Sequence, residues 1–226
     1  FVRMNPTTAE GGAIPAEFQA KNNFDRVETL GTALLGMSLT CARCHTHKYD
    51  PIPQQEYYRM MAFFNSTAEP SMDGNKYEFG PTIKAPSDIA AWNKWEALNT
   101  KHVSLIKQAS AKPELKEQAA AVAKEIAEFK KSFKPSLIAR DLPKPRETKL
   151  LERGEYNLPK GEPLKPDVFA VMGTLPKDAP ANRLGLAQWL TARGHPLVSR
   201  VLVNRVWQRT FGEGLVRTPA DFGLQG

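Results

Sequence analysis

Cysteine is nearly absent. The 226 residues contain two, so a zinc site of the usual four ligands cannot be built from thiolates alone and would have to borrow histidines. Histidine is scarce as well, at four residues. No apolar run approaches the ~20 residues that a membrane-spanning helix needs. The longest, residues 30–39, is too short and carries Gly31, Thr32, Gly36 and Ser38. No secretory signal is visible. The chain opens at Phe1 rather than Met and reads as a piece of a longer protein, so that absence says nothing about location. No Ser-His-Asp set, phosphate-binding loop or paired-carboxylate signature stands out, which leaves the chemistries they mark without sequence support. Acidic residues are in deficit, 24 against 31 Lys and Arg, for a net charge of +7. The lysines are spread, with concentrations in the polar stretches 107–134 and 144–165, and read as solvated faces rather than a nucleic-acid surface. Such a positive surface suits an acidic redox partner or an anionic polymer.

The two cysteines that are present sit together as Cys41-Ala42-Arg43-Cys44-His45. This spacing reads as covalent attachment of one c-type haem. Two thiols three residues apart lie on one face of a helical turn, so both can reach the same edge of a porphyrin. A histidine directly after the second thiol can bring its imidazole under the iron as proximal ligand. On this reading Cys41 and Cys44 are the thioether anchors. His45 binds iron through Nε2, while its Nδ1–H donates to a backbone carbonyl and so fixes the ring. Arg43 is a candidate propionate contact, because guanidinium matches carboxylate geometry; a solvated arginine is the alternative. The same motif also fits a redox disulfide, two inert thiols, or a Cys2His2 zinc set completed by His45 and His47, cramped though that set is. His47 lies too near His45 to reach the opposite face of one haem, and a structural hydrogen bond is expected of it. For the sixth position Met4, Met37, Met60, Met61, Met72, His102 and His195 come into question, with apolar packing the expected role of Met60 and Met61.

The pattern along the chain is mainly helical. Residues 1–22 read as loop, with Asn5-Pro6 and Gly11-Gly12 as turn signals. A helix is expected from about Asp25, with Glu28 completing a capping box and Val27, Leu30, Leu34 and Leu35 at helical spacing, delivering the chain into Cys41. Asp50-Pro51 and Pro53 break it, and a second helix is expected over 54–64. Residues 65–85 read as irregular. Two helices over 87–110 and 113–133 are joined through Ala111-Lys112-Pro113 as an antiparallel hairpin. Seven prolines between 143 and 180 mark an extended linker or surface loop. Helical pattern returns at Leu186, Trp189 and Leu190, and again over 197–211. There Val198, Val201, Leu202, Val203, Val206 and Trp207 cover more than one side, which predicts burial. Arg200, Asn204 and Arg205 on that helix need polar partners, with Asp221 as one. The resulting organisation is a haem-bearing helical domain over 1–85, a helical hairpin insertion over 86–134, a proline-rich linker over 135–180 and the start of a second helical domain over 181–226.

Residues 39–52, Leu-Thr-Cys-Ala-Arg-Cys-His-Thr-His-Lys-Tyr-Asp-Pro-Ile, followed by Glu56-Tyr57-Tyr58 and Ala62-Phe63-Phe64, resemble the planctomycete-type cytochrome c domain of large bacterial proteins. Glu10-Gly11-Gly12, Glu17 and Asp25-Arg26-Val27 are similar to the same pattern. Residues 182–190, 196–208, 211–215 and 221–226 resemble the companion domain that follows it in that family and has no assigned activity. The resemblance covers about residues 5–66 and 145–226. Thr46 departs from it, standing where an Asp is often seen between the two histidines. The resemblance implies an exported protein, periplasmic or extracellular, with an association to polysaccharide-degrading systems.

The expected function is electron transfer by one covalent haem c inside a larger exported protein or assembly, with a redox partner protein or a neighbouring haem domain. Neither nucleic acid nor a membrane span enters this reading. Two other classes compete. One is a haem peroxidase or oxidoreductase whose catalytic part lies elsewhere; the other is a structural or binding module whose cysteines hold zinc or a disulfide.

Overall fold

Pro15 opens the first helix, α1 (Pro15–Leu30). Proline suits a first helical position, where its missing N–H leaves nothing unpaired and its φ is already helical. The helix therefore begins ten residues before the Asp25 start read from the capping pattern, and Asp25 and Glu28 fall in its interior. Phe24, Val27 and Leu30 are buried on its inner side, as the spacing predicts. The chain described is residues 2–6, 8, 10–72, 79–109 and 112–224 of a computed structural model.

Helix α1 does not run on to Cys41. It widens into a single π-helical turn, Gly31–Leu35, and stops at Gly36, whose φ of 59° lies in the left-handed region. That conformation costs an L side chain about 1–2 kcal/mol, and a Cβ at Gly36 would also lie 2.7 Å from the Phe222 ring. The break lets Leu39, 1% exposed, fold back into the core before the chain enters a 3-10 turn, Thr40–Arg43. After Pro51 and Pro53, α2 (Gln54–Asn65) occupies almost the expected span. Tyr57, Tyr58 and Met60 are fully buried, and Met61, Phe63 and Phe64 nearly so. Met60 and Met61 thus pack as core residues, as expected. Each such side chain contributes about 1.5–3 kcal/mol by leaving water.

The chain divides into two compact units, Phe1–Glu78 with Ala139–Gly226, and Phe79–Ile138. In the first unit the proline-rich stretch keeps the irregular backbone that its prolines impose. Its apolar residues are nevertheless part of the core: Phe169 is fully buried, with Val168, Leu151 and Met172 beside it. Two short strands, β3 (Leu150–Leu151) and β4 (Pro159–Lys160), pair antiparallel there. Asn182 then caps α5 (Arg183–Leu190), its side-chain oxygen accepting from the N–H groups of Leu184 and Gly185. Helix α6 (Val198–Phe211) corrects the sequence expectation of burial. Only Val201 and Asn204 are buried on it, while Leu202, Val203, Val206 and Phe211 are each more than half exposed.

The second unit is built on two helices. Helices α3 (Ile89–Ala109) and α4 (Leu115–Phe129) enclose a small core of Leu98, Val122 and Ile126, with Leu105 and Phe129 packed against it. Its connection at Ser110 and Ala111 lies outside the described residues. A two-stranded antiparallel ribbon that the sequence reading did not anticipate, β1 (Thr82–Ala85) with β2 (Lys134–Leu137), closes the base. With six α-helices and only short strands among the described residues, the fold is mainly α. Within the stretch read as irregular, residues 73–78 lie outside the described residues, as do Gln225 and Gly226 at the end of the second motif.

Candidate functional site

The motif occupies the 3-10 turn and the loop that follows. Cys41 and Cys44 both carry free, exposed thiols. Between them Ala42 is fully buried and anchors the turn to the core. The Arg43 carbonyl anchors it a second time, accepting from the Tyr58 hydroxyl at 2.8 Å and from Gln54 Nε2 at 3.0 Å. Burial first, and the proximity of Cys44 second, raise the Tyr58 pKa above the ordinary phenol range, so its hydroxyl remains a donor. These bonds tie the turn to α2 and leave the two thiols on its outer side.

The Arg43 side chain lies beside Cys44, with which it hydrogen-bonds, and also reaches α1. Its guanidinium lies 3.5 Å from Glu28 Oε1 and 5.0 Å over the Phe24 ring. Burial alone would lower its pKa, but the Glu28 carboxylate and other neighbours outweigh that, and the net direction is upward. Tyr57 donates to the same Glu28 oxygen at 3.1 Å, and its pKa is raised by burial first and by Glu28 second. Arg43 is therefore already paired with a carboxylate from α1, and a haem propionate would share it with Glu28.

Behind Cys44 lies a turn that the sequence reading missed. Arg153 has φ 53°, a left-handed conformation for a non-glycine residue, and Gly154 follows at φ 75°. The Cys44 thiol donates to the Arg153 carbonyl at 3.2 Å. A Cβ on Gly154 would meet the Arg43 side chain at 3.1 Å and Cys44 Sγ at 3.2 Å, so the turn packs directly on the motif. Non-glycine residues in this region cost about 1–3 kcal/mol and persist where surroundings enforce them. Gly154, a turn signal inside a stretch read as linker, was the available clue.

The two histidines play different parts. His45 is exposed, with Nδ1 2.6 Å from the Thr46 carbonyl. A carbonyl only accepts, so Nδ1 carries a proton, and in the neutral ring Nε2 then keeps its lone pair, which is the tautomer a metal ligand needs. His47 is buried, and its Nδ1 accepts from the N–H groups of Asp50 at 2.9 Å and Tyr49 at 3.3 Å. The proton of that ring sits on Nε2. The 3.5 Å approach of His47 Nδ1 to Asp50 Oδ2 is accordingly not an ion pair, because Nδ1 is an acceptor in this turn. The structural hydrogen bond expected of His47 is present.

Among the described residues no three His, Cys, Asp or Glu side chains converge as a metal-binding set. Cys41, Cys44, His45 and His47 do not form the cramped zinc site considered from the sequence. The donor chemistry does fit a haem c. Two free thiols flank one turn on its exposed side, and the adjacent imidazole offers Nε2. Of the residues considered for a sixth position, Met37, Met60 and Met61 are packed in the core and Met4 is exposed. His195 is buried, with Nδ1 accepting from the N–H groups of Leu197 and Val198.

Two polar residues of the last helix, Asn204 and Arg205, also find partners, though not the one expected. Asn204 bonds Val216 reciprocally, donating to its carbonyl at 2.9 Å and accepting from its N–H at 2.8 Å. Arg205 donates to the Thr32 carbonyl at 2.7 Å. Asp221 does not meet the arginines; its side chain accepts from the Gly223 N–H in a local turn. Arg200 is exposed.

Two family models match the chain. Residues 1–69 are similar to the family described as PSCyt2, protein of unknown function (DUF1549). Residues 182–226 are similar to the family described as PSD1, protein of unknown function (DUF1553). These are the two domains that the sequence resemblance pointed to, although the second match begins at 182 rather than 145. No curated protein and no solved structure matches the chain.

Proposed function

We propose that this chain carries one covalent haem c and transfers electrons within a larger exported protein or assembly. The observation that carries the reading is the His45 tautomer beside two free thiols. Nδ1 is committed to the Thr46 carbonyl, Nε2 is free, and Cys41 and Cys44 flank the same turn. Cys41 and Cys44 would hold the group through thioether bonds, and His45 would be its proximal ligand. When bound, haem supplies a one-electron iron couple. The protein's own contribution is rigidity: Tyr58, Gln54 and buried Ala42 fix the turn, so the thiols and the imidazole keep their relative placement. Arg43 and Glu28 form a charge pair beside the turn that a propionate would join.

A net charge of +7 favours an acidic redox partner, since opposite fields speed encounter. A neighbouring haem domain is the alternative partner. A periplasmic or extracellular setting, and an association with polysaccharide-degrading systems, follow from the family resemblance alone. The zinc reading has no third ligand brought to the thiols among the described residues.

Expression with a c-type haem maturation system, followed by denatured mass and a reduced pyridine absorption spectrum, tests the proposal. The expected result is a mass increase of one haem that survives denaturation and disappears in Cys41→Ala/Cys44→Ala. An unmodified polypeptide mass after maturation would sink it. Thiol and metal assays on that sample would then separate a disulfide from a metal site.

A further inference from the structure

The two matched segments meet at the motif loop. Phe222 donates its N–H to the Gly36 carbonyl at 2.6 Å, and its ring packs on Gly36. Two residues on, the Leu224 N–H donates to Asp50 Oδ1 at 2.8 Å. Between them, Gly223 lies so close that a Cβ would fall 2.4 Å from Asp50 Oδ1. Asp50 is buried, and this strap supplies its hydrogen bond. The base of the strap is held by Asn204 and Arg205 of α6.

From Asp50 the connection runs back to His45. The Asp50 N–H donates to His47 Nδ1, which closes the turn over residues 47–50. The His47 N–H in turn donates to the Ile52 carbonyl at 2.9 Å, beyond the turn. The His47 N–H and the Thr46 carbonyl belong to one peptide unit, which is planar and trans, so its two polar groups point in opposite directions. Pinning the N–H to Ile52 therefore aims the Thr46 oxygen the other way, where it accepts from His45 Nδ1.

The geometry points to His47, Asp50 and the strap Phe222–Leu224 as positioning residues for His45: they hold the peptide that fixes its tautomer and keeps Nε2 available. This assigns a role to the second matched segment in the site of the first. It rests on the haem reading for its purpose, though not for its test.

The test uses the full 226-residue chain without haem, ¹⁵N-labelled, at a pH well above the ordinary histidine range. Long-range ¹H–¹⁵N correlation then reads which His45 nitrogen carries the proton. The wild-type chain is expected to show His45 mainly as the Nδ1–H form. Gly223→Ala must displace Asp50 and is expected to return His45 to the Nε2–H form that free imidazole prefers. Asp50→Asn keeps an oxygen acceptor for the Leu224 N–H and is expected to retain the wild-type pattern. Asp50→Ala removes the acceptor without adding bulk, and covers the case in which Gly223→Ala does not fold. A folded Gly223→Ala or Asp50→Ala chain with an unchanged His45 tautomer would overturn the inference, as would an Nε2–H wild type. The haem reading fails by a different measurement, the mass. A chain that takes up no haem yet shows the coupled tautomer would sink that reading and keep this one.

Discussion

Single side chains do most of the holding at the motif. Tyr58 is fully buried, and its one hydroxyl proton lies between the carbonyls of Arg43 at 2.8 Å and Leu151 at 3.3 Å. It thereby ties the cysteine turn to α2 and to the proline-rich stretch that carries Leu151. Tyr58→Phe keeps the ring and removes only the donor. A buried carbonyl that loses a partner costs about 1–2 kcal/mol, so we predict a loss of that size in urea unfolding with an unchanged denaturant slope. An unchanged midpoint would mean that Gln54 alone satisfies the Arg43 carbonyl. At this scale the sequence offered the candidate residues and not the supports that hold them. Cys41, Cys44 and His45 announce themselves by spacing. Arg153, Gly223 and Leu224 act through backbone atoms, which no side-chain pattern encodes. Arg43 was visible as a charge, but its choice of Glu28 depended on how α1 crosses the turn.

Whole elements were legible where period and breakers agreed. Pro51 and Pro53 followed by an apolar stripe located α2 to within a residue. The start of α1 was misplaced because a capping pattern is a short local signal, and Pro15 opened the helix earlier. Helix α6 shows the limit of periodicity. Apolar residues on two sides give no phase, and the structure buries the side carrying Val201 and Asn204. Its start yields a pH prediction. His195 packs edge-on against Trp189, 4.4 Å between ring centroids, and accepts from the N–H groups of Leu197, just before α6, and Val198, its first residue. Nδ1 must be bare for this, and Nε2 is buried with no hydrogen-bond partner among the described residues. Burial is the resolved cause of a lowered His195 pKa, with no charged group contributing. The unfolded chain therefore binds the proton more readily than the folded one. This contribution to stability is complete above about 6.5, the unfolded value, and is lost as pH falls towards and through the lower folded value. Protonation would also set a positive charge at a helix N-terminus, where the dipole opposes it. Urea unfolding across mildly acid pH is expected to show wild-type stability falling with pH. His195→Asn, which keeps an acceptor for both N–H groups, should lack that component. Parallel profiles for the two proteins would remove His195 from the account.

Over the whole chain, composition hid one core and disclosed another. The proline-rich stretch read as a linker because its prolines forbid regular structure, and they do forbid it. Irregular backbone can still bury side chains, and Phe169 is fully buried in the core that α1 and α2 share. The hairpin unit, in contrast, is what its Ala, Glu and Lys composition suggests: two helices, few buried residues and a core of three, Leu98, Val122 and Ile126. A core that small is marginal by itself. The ends of the unit are already adjacent, since Thr82 pairs with Leu137 and the Ile138 N–H donates to the Pro81 carbonyl at 3.0 Å. Paired strand residues sit about 5 Å apart, a gap that a two-residue Asn-Gly turn spans. We therefore predict that replacing residues 82–137 by Asn-Gly leaves the first unit folded. The shortened chain should unfold in one cooperative thermal transition, with a midpoint close to that of the first unit in the full chain. It should also retain the cysteine turn, so maturation should give it the same one-haem mass increase as the full chain, if the full chain shows one. A shortened chain that is insoluble or melts without cooperativity would show that the first unit needs the hairpin to fold, and that the division into two units is one of geometry alone.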